Sequence, residues 1–233
     1  MNLFDILGPV MVGPSSSHTA GAVRIGRMAR RLLGEGTPQT AKIALSGSFA
    51  ATGQGHGTDR ALVAGLLGMQ TDDERIPDSF EIAREKGMGF AFSRVNLSGE
   101  HPNTARLALT GKSGRTLSVT ASSLGGGRIM VVEMNGLRVS FSGDLPTLIV
   151  QNRDQPGHVR DVSGVLADDG VNIATLHLYR DHPGGSAVMI IETDKAVPPQ
   201  SLDTLRAIRG ITGVTFVSAE KEGGAWRLNP LRP

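Results

Sequence analysis

The chain has 233 residues, 39% hydrophobic and 20% charged, which fits one large or two medium globular domains and excludes disorder as the main state. Lysine and arginine number 24 against 22 acidic residues, a net charge of +2, and one Trp and one Tyr leave little basic or aromatic material for a nucleic-acid surface. There is no cysteine, which excludes disulfides, thiolate catalysis and any iron-sulfur or zinc site held by this chain's own sulfur.

In chain order, MNLFDILGPVMVGPSSSHT has no basic lead before its short apolar run, and no later stretch reaches the roughly 18 apolar residues of a spanning helix. The expectation is a cytoplasmic protein without contact to membrane. Ser15-Ser16-Ser17-His18 opens a helix whose apolar face is Ala22, Ile25, Ala29 and Leu32, with Arg24, Arg27 and Arg31 opposite. Gly34 to Pro38 stops it, Ala41 to Leu45 reads as a buried strand entering a glycine-rich turn, and a second helix runs from Thr58 or Asp59 to Leu67. A short helix follows at Ser79 to Lys86. Strands are expected at Phe90 to Val95, Thr104 to Thr110, Thr116 to Ser122, Arg128 to Glu133 and Leu137 to Phe141, the last two joined by Asn135-Gly136, a hairpin signal.

Ser142 to Pro146 then punctuates the chain, and the remainder has a complete pattern of its own: strand Thr147 to Gln151, helix through Val159, Val162, Val165 and Leu166, strands Val171 to Tyr179 and Ala187 to Thr193, helix through Leu202, Leu205 and Ile208, and strand Val214 to Ser218. This βαββαβ order describes a ferredoxin-like unit. The chain is therefore read as α+β, with one domain over 1–145, a second over 146–221 and a polar tail over 222–233, the second being separable from the first.

The 31 glycines exceed the roughly 7% average and are clustered, which suggests sites built from backbone. Gly13-Pro14-Ser15-Ser16-Ser17-His18-Thr19 puts three hydroxyls and an imidazole at a helix start, where free N–H groups favour a carboxylate or phosphate; a serine-rich cap with an exposed His is the plainer reading. In Gly53-Gln54-Gly55-His56-Gly57-Thr58-Asp59 three glycines permit close approach of a ligand to backbone, or simply make a left-handed turn with a solvated His. Ser122-Ser123-Leu124-Gly125-Gly126-Gly127-Arg128 is either a bulge or a place that admits substrate, and His101-Pro102-Asn103-Thr104 offers an imidazole and an amide beside a rigid proline, a combination that is usually structural. His18, His56 and His101 fit no compact metal motif, and a Ser-His-Asp hydrolase lacks its Gly-x-Ser-x-Gly elbow.

Taken together, GPSSSHTAGAVRIG (13–26), GSFAATGQGHGTDRALVAGLLG (47–68), HPNT (101–104) and SSLGGGRI (122–129) closely resemble the β subunit of the iron-sulfur-dependent L-serine dehydratases, in order over nearly all of the first 145 residues. The stretch from Thr147 to about Glu220, with Asp154-Gln155-Pro156-Gly157 between strand and helix, resembles an ACT domain. In that family the first domain is similar to the allosteric substrate-binding domain of some phosphoglycerate dehydrogenases.

The resemblance implies an L-serine ammonia-lyase that converts L-serine to pyruvate and ammonia on a four-iron, four-sulfur cluster, one iron acting as Lewis acid at the serine hydroxyl while a base removes the α-proton. The cluster's cysteines would belong to the α subunit, in agreement with their absence here. It implies His18 and His56 as catalytic residues, Ser15, Ser16, Ser17, Thr19, Asn103 and Ser123 as substrate contacts, no metal ligand in this chain, an α-subunit partner and a homodimer through the ACT domain. His158 stands where an aliphatic residue often begins the ACT helix. A non-catalytic module that senses amino acids and controls a partner is the alternative reading.

Overall fold

A computed structural model describes residues 10–53 and 55–219, so the 222–233 tail lies outside the described residues. The first helix, α1 (Gly21–Leu33), is reached through a single π-helical turn, Ser16–Ala20, where the sequence pattern predicts an uninterrupted α-helix. Its apolar stripe is buried as expected, and it ends on Gly34 in the left-handed region (φ 79). The arginines opposite are half-buried and hydrogen-bonded. Arg24 donates to the Gly127 carbonyl at 3.1 Å, Arg27 to that of Met69 at 3.4 Å and Arg31 to the Ser218 hydroxyl at 3.1 Å.

Strand β1 (Thr40–Ser46) leads directly into a six-residue helix, α2 (Gly47–Thr52), where the sequence suggests only a glycine-rich turn. Then come α3 (Thr58–Leu67), a 3-10 turn at Ile76–Asp78, α4 (Ser79–Glu85) and β2 (Gly89–Arg94), which pairs parallel to β1. Strands β3 (Asn103–Thr110), β4 (Thr116–Gly125), β5 (Arg128–Met134) and β6 (Leu137–Phe141) complete a six-stranded sheet in the order β2-β1-β3-β4-β5-β6, antiparallel beyond β1. The Gly125–Gly127 run is a bulge and tight hairpin: the register slips between Ser123 and Gly125, and all three glycines have positive φ.

Helices α1 and α3 touch at Gly26 and Gly65. A β-carbon on Gly26 would lie 3.0 Å from both Gly65 Cα and Leu66 N, so the two backbones approach as only glycine allows.

The second unit comprises β7 (Thr147–Arg153), α5 (His158–Asp168), β8 (Ile173–Arg180), β9 (Ser186–Thr193), α6 (Pro199–Ala207) and β10 (Ile211–Val217). Its sheet order, β10-β7-β9-β8, is the antiparallel ferredoxin-like arrangement. Strand alternation divides its core in two. Leu148, Val150, Met189 and Ile191 face α5 and α6, whereas Ile149, Val188, Ile190 and Val217 join the apolar cluster that contains α1 and the larger sheet. The complete βαββαβ order predicts a free-standing unit, yet one face of this sheet is sealed against the first half of the chain. Among the described residues no helix is long and apolar enough to cross a membrane.

Candidate active site

The sequence Gly13-Pro14-Ser15 turns the chain into the π-helical turn with Ser15 extended (φ −144, ψ 123). Ser15 Oγ accepts the His18 main-chain N–H at 3.1 Å, and Thr19 N donates to the Ser15 carbonyl at 2.8 Å. The N–H groups of Ser16 and Ser17 thus come before the first bond of the helical run, where helix ends leave donors unserved. A π-helical turn carries one residue more than an α-turn and often marks a functional site.

This turn brings His18 over α2. Its Nε2 lies 3.1 Å from both Ser48 Oγ and Thr52 Oγ1, its Nδ1 3.4 Å from Ser15 Oγ, and its ring meets that of fully buried Phe49 edge-on at 5.5 Å. The His56 ring is centred 4.9 Å from that of His18. Partial burial, and then the neighbouring His56, hold His18 below the ordinary imidazole value of 6.5, so it is neutral at neutral pH. The loop bearing His56 is fixed by the Thr19 hydroxyl, which donates to the His56 carbonyl at 3.4 Å, and by Thr58 N donating to the Gly53 carbonyl at 2.8 Å. Gly57 has φ +67 at the cap of α3, and His56 itself is exposed.

The third motif supports the same helix. The Pro102 carbonyl accepts the Ser48 N–H at 2.8 Å and the Phe49 N–H at 3.4 Å, satisfying the start of α2 from the bend before β3, and Asn103 bridges to Gly47. The Asn103 Oδ1 is buried and has no hydrogen-bond partner among the described residues. His101 is used by its own turn: its Nδ1 accepts the Asn103 N–H at 3.1 Å and its carbonyl the Thr104 hydroxyl at 2.6 Å. The fourth motif backs the π-helical turn. Ser123 is fully buried with its Oγ unpartnered among the described residues, and a β-carbon on Gly21 would lie 2.7 Å from Ser123 Cβ; one on Gly125 would lie 3.6 Å from Ser17 Oγ.

The structure therefore places Ser16, Ser17, His18 and Thr19 within one turn with Ser15 as its cap, brings His56 against it, packs Ser123 behind it, and sets Asn103 at the start of α2 instead. Ser48 and Thr52 escaped sequence reasoning because α2 did. Their four-residue spacing in Ser48-Phe49-Ala50-Ala51-Thr52 was the available signal, since it puts both hydroxyls on one face of a helix. A cavity of about 230 Å³ beside α2, among Phe49, Asp59, Phe92 and Arg94, takes Asp59 from the second glycine motif but none of the expected catalytic or substrate-binding residues. Among the described residues no group of His, Asp or Glu could hold a metal ion, and without cysteine the chain does not fit a four-iron, four-sulfur cluster.

In the second unit, the turn after β7 is tied by Asp154, whose carboxylate accepts the Gly184 N–H and an Arg180 N–H, both at 3.0 Å; these bonds hold it below the usual carboxylate range. Both ring nitrogens of buried His158 and the Oδ1 of buried Asn152 lack partners among the described residues.

Comparison with known proteins places the chain in a family. The family profile "Serine dehydratase beta chain" matches residues 2–88, and the "ACT domain" profile matches 146–210. A protein of Bacillus subtilis (strain 168) named "Probable L-serine dehydratase, beta chain" is 42% identical, covering 93% of this chain and 98% of its own. The "L-serine dehydratase, beta chain" of Peptoniphilus asaccharolyticus is 36% identical, covering 92% and 96%. The "D-3-phosphoglycerate dehydrogenase" of B. subtilis is 25% identical over 68% of this chain and 30% of its own, in keeping with the expected likeness of the first unit. A relative at 42% identity across almost the whole of both chains leaves one conclusion: this protein belongs to the serine dehydratase beta-chain family.

Proposed function

We propose that this chain is the beta subunit of an L-serine ammonia-lyase, in which loss of the α-proton and of the hydroxyl from L-serine gives aminoacrylate, which hydrolyses to pyruvate and ammonia. The first unit, residues 1–145, supplies the substrate end of the site; residues 146–221, the ACT unit, supply association and amino-acid sensing. Ser15, Ser16, Ser17 and Thr19 frame the substrate carboxylate at the start of the helical run, where the Ser16 and Ser17 hydroxyls add donors to backbone N–H groups while the Ser15 and Thr19 hydroxyls hold His18 and the His56 loop in place. His18 and His56 handle or orient protons, and Asn103 and Ser123 back the two sides. The observation that carries this reading is His18: a neutral imidazole at a helix start, hydrogen-bonded on both ring nitrogens and 4.9 Å from a second histidine.

A four-iron, four-sulfur cluster belongs to a separate, cysteine-bearing α subunit in this reading, since this chain has no thiolate to hold one. Two copies paired through their ACT units would meet by the outer helices or strand edges, because the inner face of that sheet is covered within one chain. The test is substitution in the assembled enzyme. His18→Ala and His56→Ala are each expected to lower kcat by roughly 10² or more. Folded, assembled variants with near-normal turnover would overturn the site, and an effect confined to KM would make the two histidines binding residues.

A further inference from the structure

We infer that Ser48 and Thr52 are positioning residues that fix the tautomer of His18, holding the proton on Nε2 and leaving Nδ1 as its proton-accepting atom. The argument begins with proton counting. The Thr52 hydroxyl has one proton and donates it to the Ser48 carbonyl at 3.0 Å, one turn back along α2. At 3.1 Å from His18 Nε2 it can then only accept, and a bare Nε2 would set two lone pairs against each other, so the Thr52 contact favours the hydrogen on Nε2, with Ser48 Oγ, also at 3.1 Å, able to accept as well. A neutral imidazole has a single N–H, which leaves Nδ1 bare.

The other side of the ring is consistent with this. Ser15 Oγ uses a lone pair on the His18 main-chain N–H at 3.1 Å, so its own proton remains to be given to Nδ1, 3.4 Å away. The basic nitrogen therefore faces the start of the helical run, where the proposed substrate carboxylate lies, and the N–H faces α2. The opposite tautomer would aim the basic atom into α2 and away from any substrate. Helix α2 is a fixed platform for this purpose: Phe49 is fully buried and the Pro102 carbonyl holds the helix start.

This inference rests on His18 handling protons as proposed above, and its test separates the two claims. Nitrogen-15 histidine NMR on the full chain alone, at neutral pH, should show His18 protonated at Nε2. Thr52→Val, which keeps the shape and removes the acceptor, should shift the population towards the Nδ1–H form, Ser48→Ala should do so less, and Thr52→Ser should restore the original spectrum. In the assembled enzyme Thr52→Val should lower kcat roughly tenfold or more, the scale seen when partners that orient a functional imidazole are lost, with KM little changed and Thr52→Ser recovering it. A wild-type His18 protonated at Nδ1, or an unchanged tautomer in Thr52→Val, overturns the inference. If the tautomer shifts while His18→Ala retains full turnover, positioning stands and the catalytic assignment fails.

Discussion

Replacing Gly65 by alanine should destabilise the protein, although alanine is the better helix former, whereas the same replacement at Gly164 should stabilise it. A β-carbon at Gly65 in α3 would press on the Val23 carbonyl and lie 2.8 Å from Arg27 N and 2.9 Å from Gly26 Cα, all backbone atoms of α1. Non-bonded carbon contacts are comfortable at about 3.5–4.0 Å, so the helices must separate by roughly 1 Å. Overpacking of this kind costs about 1–3 kcal/mol, and the gain in helix propensity returns about 0.8–1.0. With no flexible side chain to yield, the cost falls near the upper end and the net loss is about 1–2 kcal/mol. At Gly164, within α5, nothing lies within 4 Å, so only the propensity gain of about 0.5–1 kcal/mol remains. In urea, with a slope of about 1–3 kcal/mol/M, Gly65→Ala should lower the midpoint by roughly 0.3–2 M and Gly164→Ala should raise it. Turnover should separate them as well, since α1 follows the turn bearing His18 and α3 follows the loop bearing His56. A Gly65→Ala midpoint at or above wild type would refute the close-packing argument.

Three further outcomes are expected. His18 is held below 6.5 in the fold, so as pH falls past 6.5 the unfolded chain binds its proton first, and stability declines until the lower native value is passed; the acid limb of kcat/KM should lie below 6.5, and a limb at or above 6.5 would contradict the site. After anaerobic cluster reconstitution the chain alone should hold no stoichiometric iron, measured against the α chain treated identically, and a stable cluster on this chain would refute the division of labour. Ending the chain after Pro146 removes Ile149, Val188, Ile190 and Val217 from the larger core, at about 1.5–3 kcal/mol for each fully buried aliphatic side chain. The truncated chain should unfold at markedly lower urea, and an unchanged midpoint would show that the two units do not share a core.

Most of the fold was legible because its signals are local. The 3, 4, 3 spacing of Ala22, Ile25, Ala29 and Leu32 needs only the helical period, and Asn135-Gly136 needs only positive φ at two adjacent residues, observed at 49 and 82. What escaped is what distant residues determine. Helix α2 is six residues long, too short to persist alone, and its first N–H groups are satisfied by Pro102, more than fifty positions away. With α2 unseen, Ser48 and Thr52 could not be joined to His18. The continuous apolar runs Leu148-Ile149-Val150 and Ala187 to Ile191 signal burial on both faces of the second sheet, but not that α1 and the larger sheet cover one of them. The site residues carry weak individual signals, and only the order of four motifs along the chain ties them together; in the fold His18 and His56 meet, while Asn103 and Ser123 sit at the start of α2 and behind the π-helical turn.

The most direct test of the central claim is pyruvate formation from L-serine under anaerobic conditions, measured for this chain alone, for the proposed cysteine-bearing α chain alone and for the two mixed, with His18→Ala as the paired variant. The account predicts pyruvate only from the mixture, iron that tracks the α chain, and a loss of roughly 10² in kcat when His18 is removed. Turnover by this chain alone, or a cluster-loaded mixture that assembles yet forms no pyruvate from L-serine, would contradict it.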